Sequence, residues 1–214
     1  MRRLFTLFLL CTGFTPGATV IDRVAVIAGR HVIKLSDVQR GLRVTEFMNR
    51  QPINLNTSEM HNEAERLVEQ TLIRDEIAGG GYPAPAETAA DSLVHKLVTD
   101  RFGGSDLQLR AALSRYGLTE DELRGELSWQ LTVLRFIDQR FRPGVQLSDD
   151  EVQAYYKEHL PELQREYPGD HAFDTLQPKI RASLEGERVN QAFEEWLTDQ
   201  RKQVHIEYRE GAFQ

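Results

Sequence analysis

The stretches of this sequence that read as β-strand lie at its opposite ends, so the fold has to bring the two chain ends together. Near the C-terminus Val204, Ile206 and Tyr208 alternate with His205, Glu207 and Arg209, the period-two pattern of a half-buried strand. A lone strand leaves its backbone N–H and C=O groups unpaired and is not stable by itself. At the other end Val20 to Ile27 is apolar apart from Asp22 and Arg23, Ala28-Gly29-Arg30-His31 interrupts it, and Val32 to Leu35 resumes it. This reads as a hairpin about a glycine turn. It is the sheet available to the C-terminal strand.

Between these ends the pattern is helical. Ser36 stands at an N-cap position before Val38, Leu42 and Phe47, in a helix that ends before Pro52. Thr57 or Ser58 caps a second helix, carrying Ala64, Leu67, Val68, Thr71 and Leu72 and stopping at Gly79-Gly80-Gly81. A third places Ala89, Leu93, Leu97 and Val98 on one face as far as Phe102-Gly103-Gly104; Ser105 caps a short fourth, closed by Gly117. Thr119 with Glu122 forms a capping box for the fifth, in which Leu123, Leu127, Leu131, Leu134 and Ile137 keep to one face and Trp129, Val133 and Phe136 widen it. Ser148 with Glu151 repeats the box for a sixth, which Pro161 stops. The chain is then polar and irregular from Glu166 to His171. A last long helix follows through Leu176, Ile180, Leu184, Val189, Phe193, Trp196 and Leu197, with Pro178 expected in its first turn, where a missing N–H costs nothing. The expected fold is mostly α: a bundle of about seven helices with a small β-sheet formed by the N-terminal hairpin and the C-terminal strand.

The first residues give the chain an address. Arg2 and Arg3 precede an apolar run from Leu4 to Leu10, extended to Phe14 and broken at Pro16, as in a cleavable secretory signal peptide. Cleavage is expected after Ala18 or Thr19, and residues 1–19 are assigned to the leader. Leu9 and Leu10 before Cys11 depart from the small residue that a lipidation signal wants. Cys11 is the one cysteine, so the processed chain has no disulfide, thiol nucleophile or thiolate metal site. The formal net charge of −7 becomes −9 once Arg2 and Arg3 are lost, which argues against a phosphate-binding face and against nucleic-acid partners. No later apolar stretch is long enough to span a bilayer, so no stable membrane insertion is expected.

Catalytic patterns are absent. The six histidines, His31, His61, His95, His159, His171 and His205, include no His-Glu-x-x-His pair and no two at helical i, i+4 spacing. His61-Asn62-Glu63 has the outline of a zinc-deaminase motif without the cysteines that site needs. His159, Asp170 and His171 read as polar linker residues rather than metal ligands. Gly79 to Gly81 follows a helix and lacks the lysine of a phosphate loop, so it reads as a helix stop. Asp149-Asp150-Glu151 sits where a helix N-terminus favours negative charge, and Glu194-Glu195 diverge on a helix surface. No catalytic, cofactor-binding or metal residue is therefore assigned. Trp129, Phe136, Tyr155, Tyr156, Phe193 and Trp196 read mostly as core, with a peptide groove as the alternative use; which residues would line it is not legible.

The order Val20-Ile21-Asp22-Arg23-Val24-Ala25-Val26-Ile27-Ala28-Gly29-Arg30-His31-Val32-Ile33-Lys34-Leu35-Ser36-Asp37-Val38 resembles the start of mature SurA-type periplasmic chaperones and their parvulin relatives. Residues 147–156 look like the helix that leads into the isomerase module of that family. Phe173 to Ile206, with Pro178-Lys179-Ile180-Arg181 and Glu194-Glu195-Trp196-Leu197, looks like the helix and strand that follow it. In the family a parvulin domain of about a hundred residues sits between these segments; only residues 157–172 separate them here. The resemblance implies a chaperone core over 20–214, with an N-terminal helical part over 20–165, a short linker over 166–172 in place of the isomerase domain, and the completing helix and strand over 173–214. It implies an ATP-independent periplasmic chaperone whose partners are unfolded outer-membrane proteins. The alternatives are a peptidyl-prolyl isomerase by family membership and a scaffold that grips one folded envelope partner.

Overall fold

In the computed structural model, which describes residues 22–169 and 172–214, the two chain ends pair as expected. β1 (Val24–Ala28) and β2 (His31–Lys34) run antiparallel about Gly29 and Arg30, with Ile27 opposite Val32 and Ala28 opposite His31. Gly29 takes φ +57°, and a Cβ there would also press within 3.3 Å of Val204. The C-terminal strand β3 (Ile206–Tyr208) lies antiparallel on the other edge of β1, giving the order β2-β1-β3. A register irregularity between Val24 and Val26 lets consecutive residues Ala25 and Val26 both be fully buried, which strict alternation would forbid. The expected leader and the residues Val20 and Ile21 lie outside the described residues.

Among the described residues eight α-helices follow the hairpin: α1 (Leu35–Asn49), α2 (Thr57–Gly80), α3 (Glu87–Phe102), α4 (Asp106–Arg115), α5 (Glu120–Phe141), α6 (Asp149–Glu158), α7 (Leu160–Glu166) and α8 (Phe173–Gln203). Both capping boxes form, Thr119 with Glu122 and Ser148 with Glu151, and Ser105 caps α4. Two caps move. α1 starts directly from β2 because the Ser36 hydroxyl donates to Asp22 at 2.5 Å instead of capping, and Asn56, not Thr57 or Ser58, accepts the Glu59 N–H at the head of α2. Two prolines also differ from expectation. Pro161 stands in the first turn of α7, where it opens a helix rather than only ending α6. Pro178 lies inside α8, because that helix begins as early as Phe173; Leu176 and Ile180, both buried on either side of it, hold the turn together.

Among the described residues three apolar clusters form the interior. The main one joins β1, β2, α1, α2, α5, the second half of α8 and the tail residues Ala212 and Phe213. A second lies among α1, α3, α4 and the first half of α5. A third, much smaller, holds Val152, Leu163, Leu176 and Ile180 of α6, α7 and the start of α8. α8 thus runs from the small lobe into the main body. Among the described residues no helix is long and apolar enough to cross a membrane.

Candidate peptide-binding groove

A groove opens where α2, α5 and α8 diverge beside the main core, and helical spacing decides what lines it. Arg66, Glu69, Gln70 and Ile73 project from α2; Glu126, Trp129, Gln130, Val133 and Leu134 project from α5; Phe193, Glu194 and Leu197 come from α8. The cavity measures about 440 Å³. Leu134, expected on the buried face of α5, is 63% exposed at its edge. The buried face of that helix runs instead through Leu123, Leu127, Trp129 and Phe136. Two further cavities, of about 430 and 450 Å³, adjoin Trp129 along the α2–α5 contact, so this ring borders all three.

Trp129 is held firmly. With the Gln70 amide oriented so that its oxygen faces the ring, it accepts the indole N–H at 3.2 Å. The Arg74 guanidinium covers the ring at 3.8 Å from its centroid. Behind the groove, Phe136 meets Tyr82 at 5.0 Å, Phe141 at 5.8 Å and Trp196 at 5.4 Å between centroids, all edge-on, and Phe193 packs on Phe141 and Trp196. These rings give the groove an aromatic back wall fixed by packing. Among the described residues the buried Trp196 Nε1 has no hydrogen-bond partner.

A buried ion pair sits under the groove. Glu63, 3% exposed, accepts Arg66 Nε at 2.9 Å and Nη2 at 2.6 Å, a bidentate fork. Burial pushes the Glu63 carboxyl above its usual range, with Arg66 pulling the other way. A Cβ on Gly41 of α1 would fall 1.9 Å from Glu63 Oε1, so a side chain there would push this carboxylate out of its place. Arg66 also lies 3.5 Å from Glu126 at the groove. Burial likewise raises Glu69; Arg201, at 3.9 Å, opposes this, and Glu194 and Glu65 reinforce it.

Of the six aromatics singled out by sequence, Trp129 and Phe193 line the groove and Phe136 and Trp196 back it. Tyr155 and Tyr156 are elsewhere: Tyr155 stacks on His159 at 4.0 Å and Tyr156 meets Phe173 at 5.2 Å, in the small lobe. The described histidines are spread over the fold. His31 pairs with Asp75 at 2.9 Å, tying the hairpin turn to α2, and His61 pairs with Glu210 at 3.0 Å and lies 4.2 Å from the Phe213 ring. Among the described residues no group of three or more His, Cys, Asp or Glu could hold a metal ion. Asp170 and His171 lie outside the described residues. The groove residues that sequence reading missed are Arg66, Glu69, Gln70, Ile73, Glu126 and Gln130; the glycine in mid-α1 was the one trace of the buried pair beneath them.

No family model matches the chain. It is 26% identical over 151 residues to a Chaperone SurA of Chromobacterium violaceum, a match covering 69% of this chain and 34% of that protein. It is 27% identical over 108 residues to a Chaperone for lacto-N-biosidase of Bifidobacterium longum subsp. longum, covering 50% of this chain and 38% of that protein. The chain therefore spans a little over a third of the length of the curated relatives it matches. What it is similar to, at this distance, is a pair of proteins that both carry the name of chaperone.

Proposed function

We propose that this chain is an ATP-independent chaperone that works in the bacterial periplasm after signal-peptide cleavage, holding unfolded polypeptide segments, outer-membrane protein precursors among them, in the groove between α2, α5 and α8. The observation that carries this reading is the groove itself: an apolar floor around a fixed Trp129, flanked by the exposed Leu134, left open between packed helices. The two chaperone-named relatives support it, as does the leader pattern of residues 1–19. Fixed aromatic anchors with an open apolar edge suit weak, reversible capture of extended segments, which needs no nucleotide.

The test is suppression of aggregation of an unfolded porin by the purified mature chain. Near-stoichiometric suppression is expected, reduced by Leu134→Asp without a change in melting temperature, since Leu134 is already in solvent. Absence of suppression sinks the reading. Periplasmic fractionation with N-terminal sequencing tests the compartment. A proline-limited refolding assay separates this function from a prolyl isomerase: the expected rate equals that of buffer.

A second reading is favoured by one observation, that the Bifidobacterium relative is named for a single enzyme. Here the groove serves one dedicated partner. A stable stoichiometric complex on pull-down, without general aggregation suppression, would select it.

A further inference from the structure

We infer that the groove selects segments in which an apolar or aromatic side chain lies next to a lysine or arginine, and disfavours acidic segments of equal hydrophobicity. This rests on the proposed function and adds the chemistry of the client. The floor is apolar, but the polar edges of the cavity are unequal in charge: Glu69, Glu126 and Glu194 line it against the single cation Arg66.

That cation is already committed. Both faces of its fork are taken by the buried Glu63, at 2.9 and 2.6 Å, and its remaining nitrogen lies 3.5 Å from Glu126. Arg74 lies over the Trp129 ring, on the side of the adjoining cavities rather than among the residues of this one. The ion pair of Glu69 is the long one to Arg201, at 3.9 Å, with Arg66 adding a weaker attraction, and Glu194 makes no ion pair among the described residues. The unfilled groove therefore keeps two carboxylates from facing helices, α2 and α8, in mutual repulsion over an apolar surface that limits their hydration; the upward displacement of Glu69 by burial and by Glu194 and Glu65 has the same origin. A cation entering with an apolar neighbour removes that repulsion, whereas an acidic side chain adds to it, so the rim provides attraction toward one class and rejection of the other.

The experiment uses the full mature chain and three dye-labelled peptides that share one aromatic-rich core and are flanked by lysine, by glutamine or by glutamate, read by fluorescence anisotropy. The lysine peptide should bind roughly three- to tenfold tighter than the glutamate peptide at low salt, as expected for two rim charges. The gap should narrow as ionic strength rises. It should also narrow in the Glu69→Gln/Glu194→Gln double variant, whose substitutions lie on the surface. Equal affinity for the lysine and glutamate peptides overturns the charge preference and leaves the groove as a client site. Failure of all three peptides to bind, or binding that the neutral Leu134→Gln does not weaken, overturns this inference together with the proposed function.

Discussion

The main body and the small α6–α7 lobe share α8, yet they are held by different forces. In the main body Phe136, Phe213, Val26, Val38 and Val68 are all fully buried within one apolar cluster that spans sheet and helices. In the lobe only Val152, Leu163, Leu176 and Ile180 are buried together, and polar clasps supply much of what fixes it to α8. Arg181 bonds the Leu147 carbonyl and Asp149, while Arg188 bonds the Gln146 carbonyl and Glu151. Burial resists salt and acid and is lost all at once; surface ion pairs are screened and are lost piecemeal. The lobe should therefore open locally under conditions that leave the groove-bearing body intact.

The sharpest way to break this contrast is to make the body fail first. Phe213 is 1% exposed, its ring tilted against His61, with its carbonyl receiving the Thr57 hydroxyl at 3.1 Å. It acts as a plug from the chain end into the main core. Phe213→Ala should cost about 3–5 kcal/mol and lower the main thermal transition, measured by circular dichroism. A melting temperature unchanged by this substitution would show that the tail contributes nothing to the body.

How much of this was legible in sequence depends on whether a feature is local. The capping boxes at Thr119/Glu122 and Ser148/Glu151 close within four residues and appear as expected. The pairing of β3 with β1 was also legible, because an alternating strand at one end had to find the hairpin at the other. Phe213 was not, since a single aromatic beyond a strand carries no periodicity. Leu134 fits the apolar stripe of α5 as well as Leu127 does; Leu127 is buried because α1, α3 and α4 pack over the first half of α5, while Leu134 lies beyond them at the groove edge. The same holds for Gly41, where the room for a side chain is taken by Glu63 on the next helix. Proline misled twice, because its meaning depends on where the helix starts: Pro161 begins one, and Pro178 lies inside another that packing carries past it.

A smaller effect sharpens the lobe side of the comparison. Ser148 accepts the Glu151 N–H at 3.2 Å and donates its hydroxyl to the same residue's carboxylate at 2.9 Å. Ser148→Ala removes the cap of α6 at a cost of about 1 kcal/mol. Hydrogen exchange should accelerate in α6 and α7 while α2 and α5 keep their protection. Equal acceleration in both regions would mean that the lobe and the body unfold as one unit.

The smallest effect tests the difference through pH, because the two regions hold carboxyls displaced in opposite directions. Glu151 is lowered to about 2, first by the Ser148 backbone N–H and then by Arg188 and the Ser148 hydroxyl. Its contribution to the lobe is present above its ordinary value of 4.5 and is lost as pH falls from there through about 2. Glu63 is displaced upward by burial, so its effect on the body runs the other way: it favours the fold most below 4.5 and fades as pH rises through the raised value. Acidification from about pH 4.5 should therefore loosen α6 and α7 while Glu63 opposes loss of the body, with Glu151→Gln removing the lobe's share of the response. Hydrogen exchange across this range checks both signs. If α6 and α7 keep their protection down to pH 2 while the body opens first, the lobe does not depend on its polar clasps and the contrast between the two regions fails.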